Sequence, residues 1–175
     1  MYITPEIRHF DRGSQELEKS QYDKTQFVFG STGAAMLLKR SFILDCNISS
    51  DKNNIELFDN SFFAYREDAD LSWRAQLYGW RILYVPKAKG YHERVVLPEN
   101  RKTLPKKLNS MSVRNRFLLQ FNNFSFLDTP HAILKTTLRN ILVIGAVCSI
   151  ERSSFNALIE AIKLCLLYTS PSPRD

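Results

Sequence analysis

The apolar and polar positions change rhythm several times along the chain, and each change predicts an element. From Asp68 onward, Leu71, Ala75 and Tyr78 recur at i, i+4 and i+7, the spacing of one helical face. Gly79 stands where a C-terminal cap belongs, so the pattern predicts a helix closing there. "WRILYVP" follows as a strand stopped by Pro86, and "AKGYH" as a short strand ending at His92. Upstream, "HFDRGSQELEKSQYDKT" is polar and reads as a surface loop. "QFVFGSTGAAMLLKR" is apolar with glycines inside it. It predicts a strand over Phe27 to Phe29 and a tight passage through Gly30 to Gly33; Ala34 to Leu38 then continues as strand or opens a helix. The next stretch is loop-like to Glu56 and then turns aromatic. Residues Pro130 to Lys163 read as amphipathic or core helices, interrupted between Asn140 and Gly145.

This pattern puts Glu67, Asp68 and Asp70 in the first helical turn or at its N-cap. There the helix dipole and free N–H groups favour negative charge. Two readings stay open. In the first, the carboxylates only cap the helix, and Asp70 pairs with Arg74 at i+4 for about 0.2–0.5 kcal/mol. In the second, they carry chemistry, because a carboxylate cluster and a histidine lie at the ends of neighbouring elements, where α/β proteins place their sites.

Composition narrows the class. The chain has 175 residues, 44% of them hydrophobic, which suits one globular domain with a core. A net charge of +6 and a pI near 9.3 favour anionic partners, although the same charge also serves solubility. Cys46, Cys148 and Cys165 show no CxxC spacing and are odd in number. That argues against a disulfide framework or a zinc site and fits a reducing, cytoplasmic setting. The N-terminus lacks the apolar core of a signal peptide. The longest apolar run, Ile141 to Ile150, is about half of the roughly 20 residues that span a bilayer, so no transmembrane helix is expected.

Two further segments matter. "LPENRKTLPKKLNSMSVRNRFLL" is strongly basic: Arg101, Lys102, Lys106, Lys107, Arg114 and Arg116 stand against Glu99. Such a segment can lie on an anionic membrane, and the arginines of "RNR" suit phosphate, while solvated helix faces are the plainer reading. "CLLYTSPSPRD", Cys165 to Asp175, matches the in-frame translation of a common transposase sequencing adaptor and is read as an assembly artefact.

"FDNSFFAYREDADLSWRAQLYGWRILYVPKAKGYH" resembles the second half of the catalytic domain of family 2 glycosyltransferases, in the bacterial rhamnosyltransferase-like branch. The pattern there is F-D-x-x-F-F-x-Y-x-E-D-x-D-L-x-x-R, then G-W, Y-V-P and a terminal His. The likeness takes in "VFGSTGAAMLLKR" and "SVRNRFLL", covering Phe27 to Phe124, with a weaker echo in "FDRG". It implies an α/β chain holding the acceptor-side half of a GT-A fold, followed by C-terminal helices. The activity implied is inverting transfer of a sugar, with rhamnose a candidate, from a nucleotide diphosphate to a glycan or lipid-linked acceptor in cell-surface polysaccharide synthesis.

The resemblance also implies roles. Asp68 matches the family's general base, expected to be ionised and weak at a helix N-terminus. Glu67 and Asp70 would orient the acceptor or cap the helix, and Gly33, Trp73, Arg74 and Arg116 would line the substrate site. His92 matches a position that helps hold a divalent metal, Mn2+ or Mg2+. The family's own metal-binding D-x-D lies in an earlier half that nothing before Phe27 supplies. The expected organisation is therefore a polar remnant over 1–26, half a catalytic domain over 27–99, basic and amphipathic helices over 100–164, and the adaptor segment over 165–175. Such a fragment, cut at both ends, is expected to transfer no sugar alone. The competing class is a non-catalytic basic module for a membrane surface or nucleic acid. The sequence has no recognised nucleic-acid motif, and E-D-x-D would repel phosphates, so no nucleic-acid partner is expected. A catalytically dead relative of the transferases also stays open.

Overall fold

The computed structural model describes residues 1–51, 53–92, 105–124 and 129–169. The chain divides into two units: Met1–Asp59 with Glu67–Val95, and Asn60–Arg66 with Val96–Asp175. Arg101, Lys102, Glu99 and the segment from 170 onward lie outside the described residues.

The first unit mixes α and β. Two antiparallel ladders form: β1 (Tyr2–Ile3) with β2 (His9–Phe10), and β3 (Gln26–Val28) with β4 (Ile82–Tyr84). The second ladder pairs Gln26 with Tyr84, Phe27 with Leu83 and Val28 with Ile82. It therefore ties the expected early strand to the expected late one. The stretch from Ala34 to Leu38 belongs to neither helix nor strand, and α1 (Arg40–Asp45) begins after it. No strand forms over 87–92, so His92 ends no strand; β4 stops at Tyr84, ahead of Pro86.

Helix α2 (Glu67–Leu77) is where the spacing predicts it. Leu71 and Ala75 are buried, but Tyr78 lies beyond the last turn and is exposed, so the apolar face is two residues long rather than three. The chain reverses through Gly79, at φ 82°, a left-handed conformation glycine adopts without a Cβ penalty. The N–H groups of Gly79 and Trp80 close onto the carbonyls of Gln76 and Ala75, at 2.9 Å each. Phe42, Cys46, Leu71 and Ala75 form the core, flanked by Met36, Leu38, Ile43, Leu57 and Trp80. Trp80 meets Phe42 edge-on at 5.5 Å and donates its indole N–H to Asp45 Oδ2 at 3.1 Å. An aromatic side chain is thus buried with its polar end satisfied.

The second unit is helical: α3 (Lys106–Asn123), α4 (Pro130–Ser149) and α5 (Phe155–Thr169), with 3-10 turns at Asn60–Phe62 and Arg152–Ser154. Pro130 occupies the first turn of α4, and the Thr129 hydroxyl caps it by accepting from the Ala132 N–H. The expected interruption at Asn140 to Gly145 is absent; α4 runs through it. Asn140 does not turn on its own backbone because its amide is engaged across helices, donating to Gln120 Oε1 at 2.6 Å and accepting from Arg116 Nε at 3.0 Å. Helix α5 continues through Cys165 to Thr169, so part of the adaptor-like segment is helical rather than a tail.

Candidate functional site

The first turn of α2 gathers the three carboxylates, and the fold gives each a different environment. Asp70 is buried and pairs with Arg74 at 3.5 Å. Arg74 also donates to the carbonyls of Cys46 and Leu57, at 2.9 and 2.5 Å. That guanidinium spans α1's end, the following loop and α2, so Asp70 and Arg74 belong to the framework. The i,i+4 pair that the sequence predicts forms, and it is largely buried, with both members tied to packing rather than turned toward a ligand.

Asp68 is half-buried at the helix start. Its Oδ2 accepts from the backbone N–H of Gly33 at 3.2 Å, and its Oδ1 from that of Ala69 at 2.8 Å. Burial raises its pKa above the ordinary 3.8; the Gly33 and Ala69 N–H groups pull the other way, and Asp11 repels the charge. Desolvation outweighs the helix N-terminus here, correcting the expectation of a low pKa. Glu67 is also raised, first by burial, then offset by its own backbone hydrogen bond and pushed further by Asp68. One of its oxygens, Oε2, is buried without a hydrogen-bond partner.

Gly33 therefore meets Asp68 through its backbone, and a Cβ there would stand 3.8 Å from the Asp68 Cβ, in ordinary contact. Gly30 is the tighter glycine: a Cβ would fall 2.5 Å from Ser72 Oγ and 2.6 Å from Ser72 Cβ, so its loop lies directly against α2. Trp73 packs edge-on against Phe29 at 6.1 Å, and Gln76 donates to the Phe29 carbonyl at 2.5 Å. These contacts run the Phe29–Gly33 passage along α2 from Gln76 back to its first turn, which is how Gly33 reaches Asp68.

The remaining expected site residues are elsewhere. His92 is exposed, eight residues past the end of β4, and among the described residues no three His, Cys, Asp or Glu side chains come together as a metal would need. The donors that are described therefore do not by themselves assemble a metal site. Arg116 is in the other unit, buried in α3 and bonded to Asn140. Arg114 is likewise buried, donating to the carbonyls of Ser61 and Phe62 and pairing with Glu160 at 2.6 Å. "RNR" thus holds the helical unit together instead of offering its arginines to phosphate.

Two features near the site carried little sequence signal. Asp11 is close enough to bear on Asp68. Arg12 sits over Tyr84 at 4.2 Å and Tyr22 at 4.6 Å, with Tyr2 at 5.9 Å, and its Nη atoms have no hydrogen-bond partner. Ring faces take the place of acceptors for this guanidinium. Gly13, at φ 73°, lets the Tyr22 ring come to 2.8 Å of where a Cβ would be. The "DRG" triplet was the available clue. Compared with protein-family models, curated proteins and solved structures, the chain has no match.

Proposed function

We propose that the chain is the acceptor-side part of an inverting family 2 glycosyltransferase of GT-A fold, with Asp68 as the general base. The observation that carries the proposal is the Asp68 carboxylate: fixed at the start of α2 by the Gly33 and Ala69 N–H groups, half-buried, and more basic than an ordinary aspartate. A base needs a fixed position and a pKa nearer the working pH, and burial supplies the second. In the reaction the acceptor hydroxyl gives its proton to Asp68 while its oxygen bonds the anomeric carbon. The bond from that carbon to the diphosphate breaks, and its electron pair leaves with the diphosphate. Glu67 orients the acceptor from the same turn. The donor is a nucleotide sugar, rhamnose being the candidate, and the acceptor a glycan or lipid-linked sugar on the cytoplasmic side.

The test is kinetic, in the protein extended upstream to include the nucleotide-binding half that the resemblance calls for. Asp68→Asn keeps the size of the side chain and one acceptor oxygen but takes up no proton. Its kcat is expected to fall about 10²–10⁴-fold. Glu67→Gln is expected to cost less. A fully active Asp68→Asn enzyme overturns the assignment and leaves Asp68 as a helix cap. The chain alone is expected to transfer nothing, because the largest electrostatic contribution, stabilisation of the leaving diphosphate, lies outside it.

A further inference from the structure

We propose that the outward faces of α4 and α5 form a surface that lies on an anionic lipid bilayer. The idea stands independently of the role given to Asp68. Helix α4 leaves most of its large apolar side chains uncovered, unlike a helix of a water-soluble bundle. Its outward stripe is Leu134, Leu138, Ile141, Leu142, Gly145 and Cys148, all exposed. Its inward side is mixed: Thr136 and Val147 are buried, and Ile133, Arg139, Asn140 and Val143 are half-buried. Only 11% of its apolar window is buried, although the helix is long and apolar enough by composition to cross a membrane. Helix α5 repeats the pattern: Phe155, Ile159 and Ile162, at i, i+4 and i+7, are exposed, while Ala157 and Ala161 are buried.

The interior of the unit makes the complementary point. Arg116, Gln120 and Asn140 bond one another between α3 and α4, Arg114 pairs with Glu160 of α5, and Glu151 accepts from Asn109 and Ser154. Leu118, Leu119 and Val147 are buried beside these satisfied polar groups, yet most of the large apolar side chains of α4 and α5 face outward, which suits a unit whose outer solvent is partly hydrocarbon.

Charge selects lipid over other apolar occupants. Helix α4 contains Lys135 and Arg139 and no Asp or Glu. Among the described residues of this unit the exposed charges are Lys106, Lys107, Arg152, Lys163 and Glu160, and the one carboxylate is paired with Arg114. His131 and Lys135 border the stripe at its N-terminal end, where headgroup phosphates would meet them. The helices rest on the bilayer and do not cross it. α5, with 15 residues, is about 22 Å long against a hydrocarbon core of about 30 Å, and α4 has charges near its middle.

The experiment is co-sedimentation of the full chain with phosphatidylcholine vesicles, with and without one quarter phosphatidylglycerol. Binding is expected to the anionic vesicles, weakened by salt. Leu138 and Ile141 are 53% and 61% exposed, so the double variant Leu138→Gln/Ile141→Gln should fold; it is expected to bind at least about tenfold more weakly. A polarity-sensitive fluorophore on Cys148, in a Cys165→Ser background, is expected to shift to the blue with anionic vesicles. That reading decides the matter if the double variant misfolds. A chain that stays in the supernatant, equal binding to neutral vesicles, or a double variant that binds as well as the parent overturns the proposal. So does a dimer in solution that the double variant splits, since a second copy would then be the occupant.

Discussion

Asn115 lies in the middle of α3 with none of its surface exposed, and its side-chain amide faces three carbonyls of one short loop. The two hydrogens of Nδ2 are shared among Phe62 O at 2.8 Å, Ala64 O at 2.7 Å and Tyr65 O at 2.9 Å, while Oδ1 accepts from Arg114 Nε at 2.9 Å. The loop needs the restraint. Phe63, Tyr65 and Arg66 have φ of 57°, 67° and 78°, left-handed conformations that cost a non-glycine residue about 1 kcal/mol or more each. Asn115→Ala leaves Phe62 O bonded to Arg114 Nη2 but strips the Ala64 and Tyr65 carbonyls of this donor. Tyr65 is exposed, so water can take its carbonyl, and the one acceptor left unpaired costs about 1–3 kcal/mol. For a chain of this length that lowers Tm by about 2–12 °C. Asn115→Asp preserves shape and removes the donors, setting a carboxylate against carbonyl oxygens, so it is expected to cost at least as much at neutral pH. Thermal melting followed by circular dichroism gives the first number. Protease cleavage within residues 60–66 gives the second, expected to be faster in both variants. If Asn115→Asp melts with the parent and its loop resists cleavage, the amide is not what holds the loop.

Two further outcomes are expected. Gly30→Ala must displace either its own backbone or Ser72 and is expected to cost about 1–3 kcal/mol, whereas Gly33→Ala keeps the N–H to Asp68, meets only ordinary contacts and should stay within about 0.5 kcal/mol; urea unfolding of both separates close packing from mere small-residue composition. Asp68 and Glu67 have folded pKa values raised above 3.8 and 4.5, so their protonated forms favour the fold; that contribution is full below those ordinary values and is lost as pH rises through the raised ones. Asp68→Asn should therefore gain stability relative to the parent as pH rises from about 4 toward 7, and a stability difference independent of pH would contradict the burial argument.

Local signals were legible where one residue type decides the geometry. Gly79 ends α2 because only that position is left-handed there, and acidic residues begin it because free N–H groups await them. Pairing of β3 with β4 was not legible, since the strands are three residues long and separated by more than fifty. The short strand drawn to His92 does not form: residues 87–92 pair with no strand among the described residues. Arg116 shows why a basic triplet misleads: Arg, Asn and Arg read as a surface for phosphate, yet their long polar side chains reach carbonyls and amides inside the unit. By length the apolar run at Ile141 to Ile150 is too short to span a bilayer, but its meaning depends on which side chains of α4 are covered, and the sequence pattern does not show that most of them are left exposed.

The clustering of Glu67, Asp68 and Asp70 has a physical resolution that separates framework from chemistry. Three carboxylates repel only while all three are charged and unscreened. Asp70 is neutralised by Arg74, and the pair is tied to the carbonyls of Cys46 and Leu57, so its charge is spent on packing. Asp68 receives two backbone N–H groups, enough to fix it but not enough to offset its burial, which leaves it a stronger base than a surface aspartate. Glu67 keeps an oxygen buried without a partner, an arrangement that stability does not favour. A capping role explains the position of all three and the hydrogen bonds of Asp68. It does not explain why two of the three sit where burial penalises their charge, since a cap works best when ionised and exposed to the helix dipole. The base and the orienting carboxylate proposed above would use that penalty, because it moves their protonation toward the pH at which a hydroxyl is to be activated.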